Sequence, residues 1–172
     1  MEASRYTATE TLRDGSSIEV RALRPADRDE LLGALGRMSD ESIRLRFFAP
    51  KRHFSPGEVE RYVNVDFVTH VALVAVRDQD GRRSIAGAGR YIVTEPGVAE
   101  VAFAVDDAQQ GRGIGGLLLR HLARIARAAG LRELVAEVLA ENAPMLGVFR
   151  KSGFEMATRR EGGVVHVTLG LS

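Results

Sequence analysis

The chain has 172 residues, of which 45% are hydrophobic and 27% charged, with a net charge of +1 and no cysteine. This composition is typical of a globular protein, and we expect residues 1–172 to form a single domain. The near-neutral charge predicts neither a nucleic-acid nor a membrane partner, and a chain without cysteine has no disulfide, thiolate metal ligand or cysteine nucleophile. Without a signal-like apolar segment in MEASRYTATE at the N-terminus, we expect a cytoplasmic protein.

Short elements are predicted over the first part of the chain. RDGSS at 13–17 is a turn signal between two β-like runs, 6–12 and 18–23. Helices are predicted after Pro25, after Ser39 or Ser42, and over 55–63 with Ser55 as its cap. RLRFFAPKRH at 44–53 carries five basic residues. This segment either meets an acidic partner or forms a solvated face above buried Phe47 and Phe48.

The pattern then changes to buried strands joined by tight turns. Strands are predicted over 70–78, 84–94 and 100–107, followed by a helix over Ile114–Ala129 that Gly130 ends. A strand at 133–139, a helix at 143–153 and a closing hairpin around 161–163 complete the chain. The order predicts an α+β fold built on an antiparallel meander.

The stretch QQGRGIGGLLLR at 109–120 holds four glycines directly before the strongest helix. Each glycine lowers stability by about 0.5–1 kcal/mol relative to alanine in regular structure, so the stretch is expected to need bare backbone. A phosphate ligand would explain that need, because it binds backbone N–H groups at close range. Gly111, Gly113 and Gly116 match the dinucleotide pattern G-x-G-x-x-G, with Glu137 about 20 residues further on. That pattern opens a doubly wound parallel sheet, whereas here hairpin-linked strands precede it.

A triphosphate loop or a turn without a ligand would also account for glycines at this position. The triphosphate loop needs a Lys-Ser/Thr after its glycines, which this chain lacks, and four glycines exceed what one turn requires. The remaining interpretation is a pyrophosphate cradle, in which backbone N–H groups from Gln110 to Gly116 converge on the anion at the helix start.

The run Gln110-Gly111-Arg112-Gly113-Ile114-Gly115 resembles the Q/R-x-x-G-x-G/A signature of the GNAT superfamily of N-acetyltransferases. The resemblance continues through ENAPMLGVFRKSGF at 141–154 and IEVRALRPAD at 18–27. Within the superfamily, RLRFF with HVALVAV at 70–76 is most similar to bacterial protein lysine acetyltransferases that modify acyl-CoA synthetases. The resemblance implies a mixed, mostly antiparallel twisted sheet flanked by helices, with acetyl-CoA as co-substrate and no metal. The cofactor-binding residues that it implies are Phe103, Ala104, Val105, Gln110, Gly111, Arg112, Gly113, Ile114, Gly115, Gly116, Asn142 and Phe149.

Glu100 is the candidate catalytic residue. In an alternating strand it shares a face with Ala102 and Ala104, whose small side chains leave room for a thioester and an acceptor amine. A carboxylate there can take the proton of the amine as general base, as the resemblance implies, or it is simply a solvated charge at a strand end. His166 is a weaker alternative base. Without cysteine, direct transfer in a ternary complex is favoured over an acyl-enzyme.

Three further residues carry open interpretations. Asn142 either contacts the cofactor or caps the helix at 143–153, and the two roles are compatible. Phe149 stands where the family usually has a general-acid tyrosine and has no proton to give. His121 falls on the apolar stripe of its helix and is expected to be a core residue, and the four histidines show no metal spacing.

The predicted function is therefore acetyl transfer from acetyl-CoA to an amine, most simply a protein lysine, with an acyl-CoA synthetase as the candidate partner. The alternatives are an N-acetyltransferase for small amines or amino acids, and a non-catalytic module that binds acyl-CoA. The acceptor site is expected within residues 24–66.

Overall fold

The computed structural model describes residues 1–47 and 54–172. Its first elements are the hairpin β1 (Thr7–Thr11) and β2 (Ser17–Ala22), followed by three short helices, α1 (Arg28–Arg37), α2 (Asp40–Phe47) and α3 (Pro56–Val63). The predicted caps are confirmed. Ser39 Oγ accepts from the N–H of Ser42 at 3.1 Å, and Ser55 Oγ accepts from the N–H of Glu58 at 3.2 Å.

The remaining elements follow the predicted order. The meander consists of β3 (His70–Gln79), β4 (Arg82–Glu95) and β5 (Val98–Val105), and α4 (Ile114–Ala128) follows the glycine stretch. Then come β6 (Glu133–Leu139), α5 (Ala143–Arg150), β7 (Glu155–Glu161) and β8 (Val164–Gly170). The bounds of β6 are those predicted, and Gly130 follows α4 in a left-handed conformation, with φ +86°.

The strands form one sheet in the order β1-β2-β3-β4-β5-β6-β8-β7. Neighbouring strands are antiparallel except for β5 and β6, which are parallel. The chain reaches β6 through α4, which crosses one face of the sheet and buries its apolar stripe there, including Leu118 and Leu122. The mixed α+β sheet that the sequence predicted is confirmed, and its antiparallel meander is not the doubly wound parallel sheet of a dinucleotide-binding domain.

Each face of the sheet has its own apolar cluster. Leu146 and Phe149 of α5 join the cluster that α4 covers, whereas Leu31 of α1 and Val63 of α3 pack on the other face. Strand β5 contributes to both faces because its side chains alternate. Val101 and Phe103 are buried on the α4 side, while exposed Glu100 and half-buried Ala102 and Ala104 lie on the other side, as predicted.

Within the described residues, no helix is both long and apolar enough to span a bilayer, and the longest, α4, has 15 residues.

Candidate active site

Strands β5 and β6 run together for only three residue pairs. Val98 lies beside Glu133, Ala99 beside Leu134 and Glu100 beside Val135. Beyond this point the two strands separate, and a cavity of about 830 Å³ opens between them, lined by residues 101–105 of β5 and 136–138 of β6. Its volume lies in the range of about 300–1,000 Å³ that is usual for small-molecule sites.

The glycine stretch forms one end of this cavity. Gly111 and Gly113 have φ of +80° and +87°, which L side chains rarely adopt, and Gly113 is the N-cap of α4. A Cβ added at Gly111 or Gly116 would meet no atom within 4 Å, so the backbone here faces open space. Within the described residues, no N–H group from Gly111 to Gly116 donates a hydrogen bond. Exposed donors at the positive end of a helix fit a pyrophosphate.

Gln110, the predicted start of the cradle, differs from the glycines because its backbone N–H already has a partner. Its backbone N–H donates to the carbonyl of Asp107 at 3.4 Å. Its side-chain Nε2 donates to the carbonyl of Val105 at 3.3 Å and to Ser42 Oγ at 3.4 Å. Gln110 therefore ties the glycine stretch to the end of β5 and to α2, and the free donors begin at Gly111.

Cations outnumber carboxylates in the described lining of the cavity, which suits a polyanionic ligand such as acetyl-CoA. The cations are Arg13, Arg46, Arg112, Arg120 and Lys151, and the carboxylates are Glu41, Asp107 and Glu137. Two of the cations are paired with carboxylates of the β1–β2 hairpin: Arg112 with Asp14 at 2.6 Å and Arg120 with Glu10 at 3.1 Å. The bare N–H groups, the positive lining and the gap between two strands together fit the phosphates and the extended arm of acetyl-CoA.

Glu100 lies at the fork where β5 and β6 part, on the rim of the cavity. Its side chain is exposed, and it is not among the lining residues, whereas the adjacent Val101 and Ala102 are. Arg46 of α2, which lines the cavity, is the cation whose charge interacts with Glu100. The Glu100 carboxylate is thus open to solvent beside the cavity rather than enclosed within it.

A second group of candidate functional residues, centred on Arg90, was not predicted from the sequence. Arg90 of β4 lies opposite Ala102 of β5 and is only 7% exposed. Its Nη1 donates to the carbonyl of Tyr62 at 3.2 Å and to His70 Nε2 at 3.1 Å, and its guanidinium lies 4.5 Å from the centre of the Tyr62 ring. The signal was present in the sequence, because Arg90 is a lone charge within the buried run of β4.

Burial governs the protonation of this group. Burial, and secondly the charge of Arg46, lower the pKa of Arg90 to about 10, so the guanidinium remains charged at neutral pH. Burial and the charge of Arg90 lower the pKa of His70 to about 4, which keeps the imidazole neutral. The hydrogen-bonding partners of Arg90 are thus neutral, and none of the described carboxylates forms an ion pair with it.

Asn142 and Phe149 both line the cavity, and α5 positions them. Asn142 Oδ1 accepts from the N–H of Met145 at 3.3 Å, which confirms the predicted cap. No described residue bonds to its Nδ2, which leaves that group available to a ligand. Phe149 is 1% exposed, and its ring packs against Phe103 with the centroids 6.1 Å apart.

His121 and His166 each contact neighbouring polar side chains. His121 is buried, as predicted, and its ring nitrogens lie 2.5 Å from the Tyr6 hydroxyl and 2.8 Å from Glu10 Oε1. His166 lies between Glu137 and Glu161, at 3.6 and 3.4 Å, and does not line the cavity, so nothing in its placement favours it over Glu100 as a base. Within the described part of the chain, no three His, Asp or Glu side chains gather as a metal site.

The basic segment at 44–53 is described only in part. Arg44 pairs with Glu41 at 2.9 Å and with Glu141 at 2.8 Å, so this cation belongs to a surface network. The prediction that Phe47 and Phe48 are buried falls outside what the structure describes, as does His53.

Residues 41–154 match the model of the acetyltransferase (GNAT) family, and this chain belongs to that family. An acetyltransferase from Pseudomonas aeruginosa is 31% identical over 146 residues, which is 84% of this chain and 78% of the relative. The acetyltransferase Pat from Mycolicibacterium smegmatis is 28% identical over 156 residues, or 90% of this chain and 46% of that longer protein. The crystal structure of the GNAT domain of S. lividans PAT has 36% identity and a TM-score of 0.86, covering 95% of this chain and 96% of that one.

Membership of the family decides between several of the candidate functions. The chain is an acetyl-CoA-dependent acetyltransferase with a GNAT fold. The dinucleotide and triphosphate interpretations of the glycines are therefore set aside, and so is a module that only binds acyl-CoA. The acceptor remains to be inferred from the site.

Proposed function

We propose that this enzyme transfers an acetyl group from acetyl-CoA directly to a protein lysine, with Glu100 as general base, and that residues 1–172 act as one catalytic domain. The observation that carries the proposal is the fork between β5 and β6. It opens a cavity for the thioester beside a carboxylate that is exposed to solvent. An exposed carboxylate suits an acceptor as large as a folded protein.

In this proposal, the pyrophosphate of acetyl-CoA binds the free N–H groups from Gly111 to Gly116. The pantetheine arm extends between β5 and β6, where backbone N–H groups of residues 103–105 that do not pair with β4 bind it and polarise the thioester carbonyl. Asn142 donates to the arm through Nδ2, and Phe149 forms an apolar floor. The support is that all of these residues line the same cavity.

The main chemical obstacle is the proton of the lysine. An amine with pKa ~10.4 needs about 4–5 kcal/mol to lose its proton at pH 7. In the proposed step, Glu100 takes one proton from the ammonium, and the neutral amine nitrogen then attacks the thioester carbon. The tetrahedral adduct breaks its C–S bond to release CoA as thiolate, and its nitrogen gives its extra proton to solvent to leave the amide. A thiol of pKa ~8.5 leaves as thiolate at a cost of only about 2 kcal/mol, so Phe149 in place of a tyrosine is tolerable.

The choice of a protein lysine is supported by two similarities. The sequence resembles bacterial protein lysine acetyltransferases that modify acyl-CoA synthetases, and the fold matches the GNAT domain of S. lividans PAT over 95% of this chain. An acyl-CoA synthetase lysine is therefore the first acceptor to test.

Arg46 and Arg90 favour a second candidate, a small amine that carries a carboxylate. Arg46 lines the cavity, and the buried guanidinium of Arg90 has neutral hydrogen-bonding partners. Because buried cations are usually balanced by anions, positive charge near Glu100 would favour an acceptor such as a free amino acid. Under this candidate, Arg90→Gln raises KM for amino acids and leaves KM for the corresponding amides unchanged.

One experiment separates the two candidates. Release of free CoA thiol is followed with an acyl-CoA synthetase, and in parallel with amino acids, their amides and simple amines. We expect turnover with the synthetase that disappears when its acetylated lysine is replaced by arginine. Turnover only with free amino acids would establish the second candidate. If none of the amine acceptors supported turnover, both candidates would be overturned.

A further inference from the structure

The turn between β1 and β2 reaches the glycine stretch, although the two are far apart in sequence. Arg112 Nη1 donates to Asp14 Oδ2 at 2.6 Å across 98 residues of chain. The adjacent Arg13 approaches the same stretch, since a Cβ added at Gly113 would lie 3.6 Å from its Nε. The hairpin therefore holds one side of the loop that carries the free N–H groups.

The Asp14 carboxylate is itself held in position within the turn. Its Oδ1 accepts from the N–H of Ser16 at 2.9 Å and from the Ser16 hydroxyl at 2.5 Å, which leaves Oδ2 for Arg112. These hydrogen bonds, from the hydroxyl first, lower the pKa of Asp14, so the group is ionised at neutral pH.

Arg77, at the end of β3, connects the same turn to the entrance of the glycine stretch. It is 5% exposed, its Nη2 donates to Ser16 Oγ at 3.0 Å, and it lies 3.9 Å from Asp14. Its Nη1 donates to Oε1 of Gln109, two residues before the first glycine of the stretch. The loop is thus anchored at Gln109 by Arg77 and at Arg112 by Asp14.

We propose that Asp14 is a positioning residue for acetyl-CoA: through Arg112 it holds residues 111–116 in the conformation in which their N–H groups face the cavity. Two left-handed glycines leave this loop with much conformational freedom, and ordering it on binding would weaken affinity. A loop that is already anchored avoids most of that loss. The inference rests on the proposed placement of acetyl-CoA.

We expect the Asp14–Arg112 pair to affect the affinity for acetyl-CoA rather than the stability of the fold. The side chains of Arg112 and Asp14 are 37% and 41% exposed, and ion pairs this exposed contribute little to fold stability. The negative charge of Asp14 also opposes an anionic ligand, and salt screens both this repulsion and the exposed Asp14–Arg112 pair.

The test compares Asp14→Asn with Glu19→Gln. Glu19 belongs to the same hairpin and pairs with Arg83, but it does not line the cavity. For Asp14→Asn we expect acetyl-CoA to bind about two- to five-fold more weakly by calorimetry, with KM raised, kcat unchanged and the unfolding temperature retained. The deficit should shrink at high salt, because salt weakens the exposed Asp14–Arg112 pair in the wild type as well, and Glu19→Gln should bind as the wild type does.

Arg112→Gln and the double variant show whether Asp14 acts through Arg112. Once Arg112 is replaced, Asp14→Asn should cause no further loss, because the two residues act as one unit. Unchanged or tighter binding by Asp14→Asn, or additive losses in the double variant, would overturn the proposal. If Gly113→Val also leaves binding intact, the placement of acetyl-CoA fails instead; if Gly113→Val abolishes binding while Asp14→Asn does not alter it, only the role of Asp14 fails.

Discussion

Glu100 and Val135 form the last residue pair between β5 and β6, so the candidate base stands where the two strands part. The cavity begins at the next residue, Val101. In the proposed reaction, a carboxylate at this fork reaches an acceptor amine on the outside of the sheet while the thioester lies within it. That role would constrain the position of Glu100 along β5, since a shift of one residue would turn its side chain into the α4 core.

We expect Glu100→Gln to retain acetyl-CoA affinity and to lower turnover at neutral pH by about 10²–10⁴-fold, the usual contribution of a general base. Glutamine keeps the size of the side chain but cannot take the proton of the amine. As pH rises toward the pKa of the acceptor, more amine arrives neutral and the variant should recover part of its deficit. The measurement is the pH–rate profile with the acceptor protein.

His166→Gln is the matched control for this prediction, because His166 was the other candidate base. Its profile should follow that of the wild type. Wild-type activity of Glu100→Gln throughout the neutral range, together with a loss in His166→Gln, would transfer the role of base to His166.

Gly113→Val should abolish acetyl-CoA binding beyond its effect on folding. At φ +87° a valine is strained by roughly 1–2 kcal/mol, and its side chain would stand where phosphate oxygens approach the backbone. Gly130→Val is the control, since Gly130 has φ +86°, no atom near an added Cβ, and a position at the other end of α4. Calorimetry should find binding only in the control, while both variants lose similar stability. Equal affinities would contradict the cradle.

Phe149→Tyr should change kcat by less than about three-fold, because the thiolate leaves without needing a proton donor. Phe149 is buried against Phe103, so the main effect of an added hydroxyl is on packing. Phe154→Tyr adds the same hydroxyl elsewhere in the cavity lining and controls for polarity. A rate increase of ten-fold or more in Phe149→Tyr alone would show that departure of the thiol limits the reaction.

The stability of the protein should decrease in acid as His70 takes up a proton. Because Arg90 can only donate, His70 Nε2 is the acceptor in their contact and must be unprotonated. Its pKa falls from the usual 6.5 to about 4, so this contribution to stability is complete above about pH 6.5 and is lost as pH falls toward 4. Since His70 is only half-buried, we expect about 1 kcal/mol rather than the roughly 3 kcal/mol of an unscreened shift.

Urea unfolding of His70→Gln between pH 4 and 8 measures this effect. Glutamine keeps a hydrogen-bond acceptor for Arg90 and does not titrate, so its stability should fall less between pH 6.5 and 4 than that of the wild type. Parallel curves for the two proteins over that interval would assign the acid sensitivity to other groups.

The local elements of this protein were determined by its sequence. The glycines before Ile114 and the apolar stripe after it define the start and the buried face of α4, and alternation along β5 puts Glu100, Ala102 and Ala104 on one face. These features depend on contacts within a few residues of the chain, where periodicity and capping are direct consequences of backbone geometry. The resemblance to the family signature adds the hypothesis that the same stretch binds phosphate.

Only the tertiary structure decided which distant residues complete the site. The separation of β5 from β6 after Glu100, the ion pair of Asp14 with Arg112, and the contact of Arg90 with Tyr62 all join segments far apart in sequence. Each depends on strand order and register, and these follow from the packing of the whole sheet against its helices rather than from any local pattern. Gln110 shows both influences, because its backbone N–H bonds locally to Asp107, whereas its side chain bonds to Val105 and Ser42 only once β5 and α2 are in place.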